Sequence, residues 1–366
     1  MPTPLPTRIR LVVPSNVRHN SGGNVYNAAL ARELAVLGTD VELCRADGGW
    51  PVGDVEDRRR FGELLHTLQR EVPAAVVIVD GLIASGAPEQ LEQAAAEGHP
   101  AWILTHMPLA AHEDLERRAM KSAAGVLCTS SWAAQLLRDK YGLEHIRVVL
   151  PGVDAAQPAT GSDPPRLIAV AALLPNKNQL LLLRVLAQLK DLAWTAALVG
   201  SDSADPSYAR DVRSALVDLG LGSRVRLTGQ LTREQLDDEW QAADLSLLIS
   251  RSETYGLVVT ESLARGIPVV VRAGTGAVEA LNAGAVASFG EAAGTKGGEA
   301  AIPGAAVELA TDTAPLAGVL RRWLTDQELR GSWQAAALAS RQRLPGWDSA
   351  AIKVLEALQP VHSHDR

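Results

Sequence analysis

The sequence predicts an α/β protein made of two doubly wound halves, each a parallel sheet covered on both faces by helices. Three observations carry that expectation. Short apolar runs alternate with helix-spaced segments along almost the whole chain, the pattern of a parallel sheet. Residues 155–165, rich in Pro, Gly, Ala, Thr, Ser and Asp, read as a linker after which the alternation restarts. Residues 245–271 compress strand, loop, helix and strand into one stretch. The length of 366 residues suits two or three domains.

In the first half, 1–154, Ile9 to Val13 reads as a strand. A polar loop then ends in Ser21-Gly22-Gly23-Asn24. Val25, Ala28, Ala29, Leu30, Leu34 and Leu37 follow at helical spacing, closed by Gly38, and Val41 to Cys44 form the next strand. The start is Rossmann-like but lacks G-x-G-x-x-G, so no dinucleotide fingerprint is present. The alternation continues with helices near Glu56–Glu71, Pro88–Ala96, Glu113–Ser122 and Ser131–Tyr141. Strands are expected at Ala75–Val79, Ala101–Leu104, Gly125–Thr129 and Val148–Leu150.

In the second half, 166–345, strands are expected at Arg166–Ala171, Thr195–Val199, Val225–Leu227, Leu245–Ile249 and Val269–Val271. Helices are expected at Gln179–Leu189, Tyr208–Leu219, Arg233–Ala242 and Leu257–Ala264, the last closed by Gly266 and Pro268. Residues 284–304 are Gly/Ala-rich and read as a surface loop. Helices follow near Pro315–Leu324, Glu328–Leu344 and Trp347–Leu358, before a frayed tail from Pro360.

Composition narrows the function classes. Hydrophobic residues at 47% and charged residues at 21% suit a globular chain, and a net charge of -7 gives no general footprint for nucleic acid or an anionic membrane. Cys44 and Cys128 lie in apolar runs without metal-ligand spacing and read as buried, reduced thiols. The N-terminus lacks a basic segment followed by an apolar one, and no run of about 18 apolar residues exists, so a cytoplasmic location is expected. Two basic helices, one with Arg58, Arg59, Arg60 and Arg70 and one with Arg117, Arg118 and Lys121, are interrupted by acids. They read as solvated faces rather than membrane-docking surfaces, so peripheral membrane contact is not favoured.

The chemistry concentrates around Ser250 to Val271. In a strand–loop–helix–strand unit, ligands sit beyond the C-terminal strand ends against helix N-termini. Backbone N–H groups near Gly256 and Leu257 suit a phosphate. Glu253 falls in the loop, and Glu261 is expected about two turns into the helix. Two carboxylates beside a phosphate site make sense if they accept hydrogen bonds from hydroxyls rather than pair with cations, and a sugar nucleotide offers hydroxyls on both sides of its diphosphate. Glu253, seven residues, Glu261, then Ala264-x-Gly266-x-Pro268-Val-Val resembles the retaining family-four glycosyltransferases of the GT-B fold (glycosyl transferases group 1), and the likeness extends over nearly the whole chain.

That resemblance implies two Rossmann-like domains facing across a cleft: an acceptor-binding domain over 1–154 and a donor-binding domain over 166–345. It also implies a C-terminal helix, 346–359, packing back on the first domain. It assigns Glu253 to the donor sugar and Glu261 to the nucleotide ribose, with Thr254, Tyr255, Gly256 and Leu257 completing the donor loop. Gly22 and Gly23 match the Gly-Gly pair that approaches the diphosphate, and His106, after the fourth strand, matches a histidine that touches the donor sugar. Thr228-Gly229 fall where loop backbone reads the base. Gly274 to Glu279 match a segment whose role is structural, at a helix start. Lys177 matches the family's diphosphate lysine, but Ala172 stands where the family has Arg. Arg18, in the loop before Gly22, and Arg251, two residues before Glu253, are the candidate replacement cations, and Arg18 is favoured.

The implied activity is hexosyl transfer from a UDP- or GDP-linked sugar to a small-molecule, glycan or lipid acceptor. The implied mechanism is a retaining, front-face one that needs no cofactor and no metal, Lys177 and amides replacing a cation. Asp-x-Asp, the metal–nucleotide motif of the other large transferase fold, is absent. A phosphorylase or epimerase on the same fold, or a non-catalytic nucleotide-sugar binder, stays open.

Overall fold

The computed structural model describes residues 7–17, 21–71, 75–109, 111–283, 285, 302–310 and 312–359. Arg18, most of the Gly/Ala-rich loop and the tail from Pro360 lie outside these described residues. The chain divides into two compact units, with boundaries after Gly152 and after Leu344; the last helix belongs with the first unit.

The first unit contains β1 (Arg8–Pro14), α1 (Gly22–Val36), β2 (Asp40–Ala46), α2 (Val55–Glu71), β3 (Val76–Asp80), α3 (Gly81–Gly86) and α4 (Pro88–Ala96). It continues with β4 (Trp102–Thr105), α5 (Glu113–Ser122), β5 (Gly125–Cys128), α6 (Ser131–Tyr141) and β6 (Ile146–Val148). The second unit contains β7 (Arg166–Val170), α7 (Gln179–Ala187), β8 (Thr195–Val199), α8 (Pro206–Asp218), β9 (Val225–Gly229), α9 (Arg233–Gln241), β10 (Leu245–Leu248) and α10 (Leu257–Ala264). Then come β11 (Val269–Arg272), α11 (Ala277–Ala283), β12 (Gly304–Val307), α12 (Ala314–Thr325) and α13 (Gln327–Ser340). The chain returns to the first unit as α14 (Trp347–Ala357).

Each unit holds a six-stranded sheet, ordered β2-β1-β3-β4-β5-β6 in the first and β12-β11-β10-β7-β8-β9 in the second. All pairings are parallel. Central strands run apolar because both faces are covered: Ile9, Leu11, Val12, Ile78 and Val79 are buried in one sheet, Leu167, Ile168, Val269 and Val270 in the other. Each such side chain contributes roughly 1.5–3 kcal/mol when taken fully out of water. In both sheets the order reverses beside the unit's first strand, between β1 and β3 and between β7 and β10. These are the topological switch points, where the flanking loops part and leave a crevice.

The last helix packs on α1 in the first unit, with the Trp347 and Tyr26 rings edge to face at 5.4 Å. Three elements differ from the sequence expectation. β6 starts two residues earlier. α3 is a short helix capped by the Asp80 carboxylate, too brief to show a 3.6-residue repeat. β12, Gly-Ala-Ala-Val, is a strand with almost no side chain to signal it, held by its parallel ladder with β11.

The basic helices are paired. Arg59 bridges Glu56 and Glu63, Arg60 reaches Asp57, Arg117 reaches Asp114, and Arg118 reaches Glu89 and Glu92. No helix among the described residues is long and apolar enough to cross a membrane.

Candidate active site

The loops at the second switch point are tied together. After β7 the chain makes a 3-10 turn, Pro175–Lys177, and Asn178 turns left-handed (φ 62°) into α7. After β10 it runs through Ser250 to Gly256 into α10. Asn176 joins the two loops: its amide donates to the Ser252 carbonyl (3.0 Å), its side-chain oxygen accepts from the Ser252 N–H (3.0 Å), and its carbonyl accepts from Arg251 N–H (2.7 Å). The result holds Lys177 beside Glu253, with Lys177 Nζ donating to Glu253 Oε2 at 2.7 Å. Their side chains are 22% and 11% exposed, so this pair is largely shielded from water. The expectation that Glu253 avoids cations is therefore corrected: the two groups that the resemblance assigns to sugar and diphosphate neutralise each other. Leaving both apart in a half-buried crevice would strand two charges.

The donor loop is braced from behind. The Gly276 N–H donates to the Glu253 carbonyl at 2.7 Å, and a Cβ at Gly276 would stand 1.7 Å from the Thr254 oxygen, so only glycine fits there. Gly274 to Glu279 thus supports the loop, and Ala277 opens α11. Gly256 (φ 86°) starts α10 without a side-chain cap, and Asn178 likewise leaves α7 without one. Helices α8, α9 and α13 of the same unit are each capped by a side chain. The first amides of α10 are therefore left as donors for an anion, whereas at α7 the Tyr208 hydroxyl already accepts from the Leu180 N–H.

The other expected donor residues are placed as follows. Tyr255 has its ring buried and its hydroxyl without a partner among the described residues, so the loop shows its backbone there. Burial, with Glu279 adding, pushes that phenol well above its usual range. Glu261 is the fifth residue of α10, a little over one turn in rather than two. Burial raises its carboxyl above the usual range, Arg265 opposes the rise, and Asp154 and Asp237 add to it. Thr228 and Gly229 lie inside β9 at its C-terminal end rather than beyond it, with Gly229 left-handed (φ 72°). Ala172 is partly exposed, and its carbonyl accepts from Gln179 Nε2 at 2.9 Å. Arg251 has an exposed side chain whose charge reaches the phenol of Tyr208. That hydroxyl in turn accepts from the Leu180 N–H at the start of α7 (3.3 Å). Arg251 is thus a cation near the start of α7, whereas Arg18 lies outside the described residues.

The first unit has its own cluster at its own switch point. His106 follows β4, Asp80 ends β3, and Gly22, Gly23 and Asn27 lie on α1. His106 Nε2 stands 2.9 Å from Asn27 Oδ1 and 3.5 Å from Asp80 Oδ2, and Asn27 Nδ2 donates to Asp80 Oδ2 at 2.9 Å. The Tyr26 ring meets the imidazole edge on at 5.2 Å. Gly23 also lies against the ring, where a Cβ would come within 3.0 Å of His106 Cδ2. Sequence reasoning missed Asp80, Asn27 and Asn176. Asp80 carried a usable signal, since it ends an apolar strand just as His106 follows one.

Among the described residues no three His, Cys, Asp or Glu side chains gather as a metal ligand set. A cavity of about 420 Å³ opens at the N-terminal strand ends of the second unit, beside Pro165, Asp244 and Pro268. It lies at the opposite end of that sheet from Lys177 and Glu253, away from the C-terminal strand ends where parallel α/β sheets bind their ligands.

Residues 153–339, just over half of the chain, match the family described as glycosyl transferases group 1. Among curated proteins the chain is similar to a mannosylfructose-phosphate synthase of Agrobacterium fabrum, 29% identical over 47% of this chain and 42% of that one. It is also similar to a D-inositol 3-phosphate glycosyltransferase of Kineococcus radiotolerans, 30% identical over 66% and 58%. The chain thus spans about half the length of these relatives. Among solved structures it resembles a sucrose-phosphate synthase from Thermosynechococcus elongatus, with TM-score 0.76, 18% identity, and 96% of this chain and 98% of that one covered. HepE of Anabaena in complex with UDP-glucose gives TM-score 0.68 at 18% identity, with 96% and 99% covered. At such identities the structural likeness shows the fold, which is GT-B.

Proposed function

This chain belongs to the glycosyl transferases of group 1, and we propose that it moves a hexosyl unit from a nucleoside-diphosphate sugar to an acceptor hydroxyl, retaining the anomeric configuration and using no metal ion. The observation that carries this reading is the Lys177–Glu253 pair, set beside the N-terminus of α10, which has no side-chain cap, at the second unit's switch point. A diphosphate suits that place: Lys177 and the first amides of α10 would hold it, while Glu253 turns to the sugar hydroxyls and Glu261 to the ribose.

In a front-face transfer, the bond between the anomeric carbon and the leaving phosphate oxygen breaks. The acceptor oxygen bonds to that carbon from the same side, and the acceptor's proton passes to the departing phosphate. Nothing in this step needs a carboxylate nucleophile. It needs fixed positive potential where charge collects on the diphosphate, which an ammonium and oriented amides supply without reorganising. The relatives named for sugar-phosphate products make a small phosphorylated acceptor reasonable to try, and the neighbour holding UDP-glucose makes uridine the first base to test.

Thermal unfolding with UDP, GDP and their hexose conjugates is the first experiment. A ligand at 100 times its dissociation constant stabilises by about 2.7 kcal/mol, a clear rise in Tm. Proton NMR of the first product formed, in excess EDTA, then tests retention and metal independence. Inversion at the anomeric carbon, or loss of turnover restored by magnesium or manganese, overturns the corresponding part.

Arg251 is the proposed second cation that offsets Ala172. Arg251→Ala should lower turnover about 10-fold or more, since a charge-assisted contact to phosphate is worth roughly 1.5–3 kcal/mol, and adding Ala172→Arg should recover part of it. Steady-state kinetics within about twofold of wild type, roughly 0.4 kcal/mol, would remove Arg251 from the site and return attention to Arg18.

A further inference from the structure

We propose that Asp80 and Asn27 are positioning residues that fix which nitrogen of His106 carries the proton. The inference follows the hydrogen bonds outward from Asp80. Its side chain is almost fully buried, with Oδ1 accepting from the Leu82 N–H at 3.0 Å. Burial works against its ionisation, but the His106 hydrogen bond and charge, with the Leu82 and Asn27 bonds, hold the carboxyl below its usual range. An ionised carboxylate only accepts, so Asn27 must turn its NH₂ toward Asp80, as the 2.9 Å contact has it. That leaves Asn27 Oδ1 facing His106 Nε2 at 2.9 Å, and an amide oxygen only accepts. His106 therefore carries its proton on Nε2, and in the neutral ring Nδ1 is the lone-pair nitrogen. Tyr26 and Gly23 both lie against the ring and restrict its turning.

What this does for the reaction rests on the function proposed above. A neutral imidazole fixed this way has its donor nitrogen committed to Asn27 and its acceptor nitrogen on the other side of the ring. Asp80 acts only through Asn27 and His106.

The experiment labels the whole chain with ¹⁵N-histidine and reads His106 by long-range ¹H–¹⁵N correlation in alkaline buffer, identifying its signals by their loss in His106→Gln. The expected wild-type result is a protonated Nε2 and an unprotonated Nδ1. Asp80→Asn, which still caps α3 because Asn caps as well as Asp, should free Asn27 to turn over and shift His106 measurably toward the Nδ1–H form. It should also lower kcat about 10-fold with donor KM within twofold. A wild-type ring protonated on Nδ1, or an Asp80→Asn ring with the wild-type tautomer, overturns the proposal, and the wild-type spectrum decides even if that variant does not fold. The expected tautomer together with wild-type turnover in His106→Gln would leave the relay standing and remove His106 from the proposed reaction.

Discussion

Glu253→Gln should turn over donor about 100-fold more slowly than wild type while binding free UDP or GDP at least as tightly. The two effects have different origins. Replacing the carboxylate by an amide removes the charge-assisted acceptor proposed for the sugar hydroxyls, worth roughly 1.5–3 kcal/mol where it acts in the transition state. The same change releases Lys177. In the free protein its ammonium is occupied by Glu253 at 2.7 Å, and a diphosphate must compete with that carboxylate. With glutamine in place the competitor is gone, so affinity for the nucleoside diphosphate should rise, by about threefold to fivefold if the pair is worth the upper part of the range for partly exposed pairs. Calorimetry with UDP and GDP beside steady-state kinetics separates the two. Undiminished turnover removes Glu253 from the sugar, and weakened nucleotide binding shows that it supports the diphosphate site instead of restraining it.

The fold was largely legible because burial on both faces leaves long apolar strands that one chain shows plainly, such as Val76–Asp80 and Val269–Arg272. Where the signal depends on side chains that are not there, it failed, as at β12. The family was legible through Glu253, Glu261 and the Gly-x-Pro after them. The direct contact between Lys177 and Glu253 was not. The two lie on different loops 76 residues apart, and only the strand order, which places β7 beside β10, brings them together. The same holds for Asp80, Asn27 and His106, gathered by the β1–β3–β4 neighbourhood. Sequence spacing can nominate groups along one loop; it does not say which of them will cancel one another's charge.

Lys177→Met should weaken binding of the free nucleoside diphosphate by at least about 100-fold and lower turnover further. Methionine keeps most of the apolar stem, so the change is chiefly one of charge. Two losses combine. The phosphate oxygens lose the ammonium, roughly 1.5–3 kcal/mol for a charge-assisted bond. Glu253 is left as a largely buried carboxylate without its cation, and its field then opposes an incoming diphosphate. Stranding one partner of a shielded pair costs up to roughly 3–5 kcal/mol in deeply buried cases, and the crevice here is open enough that only part of this should appear, as a lower Tm. The double variant Lys177→Met with Glu253→Gln distinguishes the terms. It removes the stranded carboxylate, so nucleotide affinity should recover part of the way from the Lys177→Met value while turnover stays at or below that of either single change. The departure from additivity in the nucleotide affinities measures the coupling between the two side chains. If Lys177→Met binds UDP and GDP within about threefold of wild type, the ammonium serves only to neutralise Glu253, and the amides of α10 with Arg251 must hold the diphosphate without it.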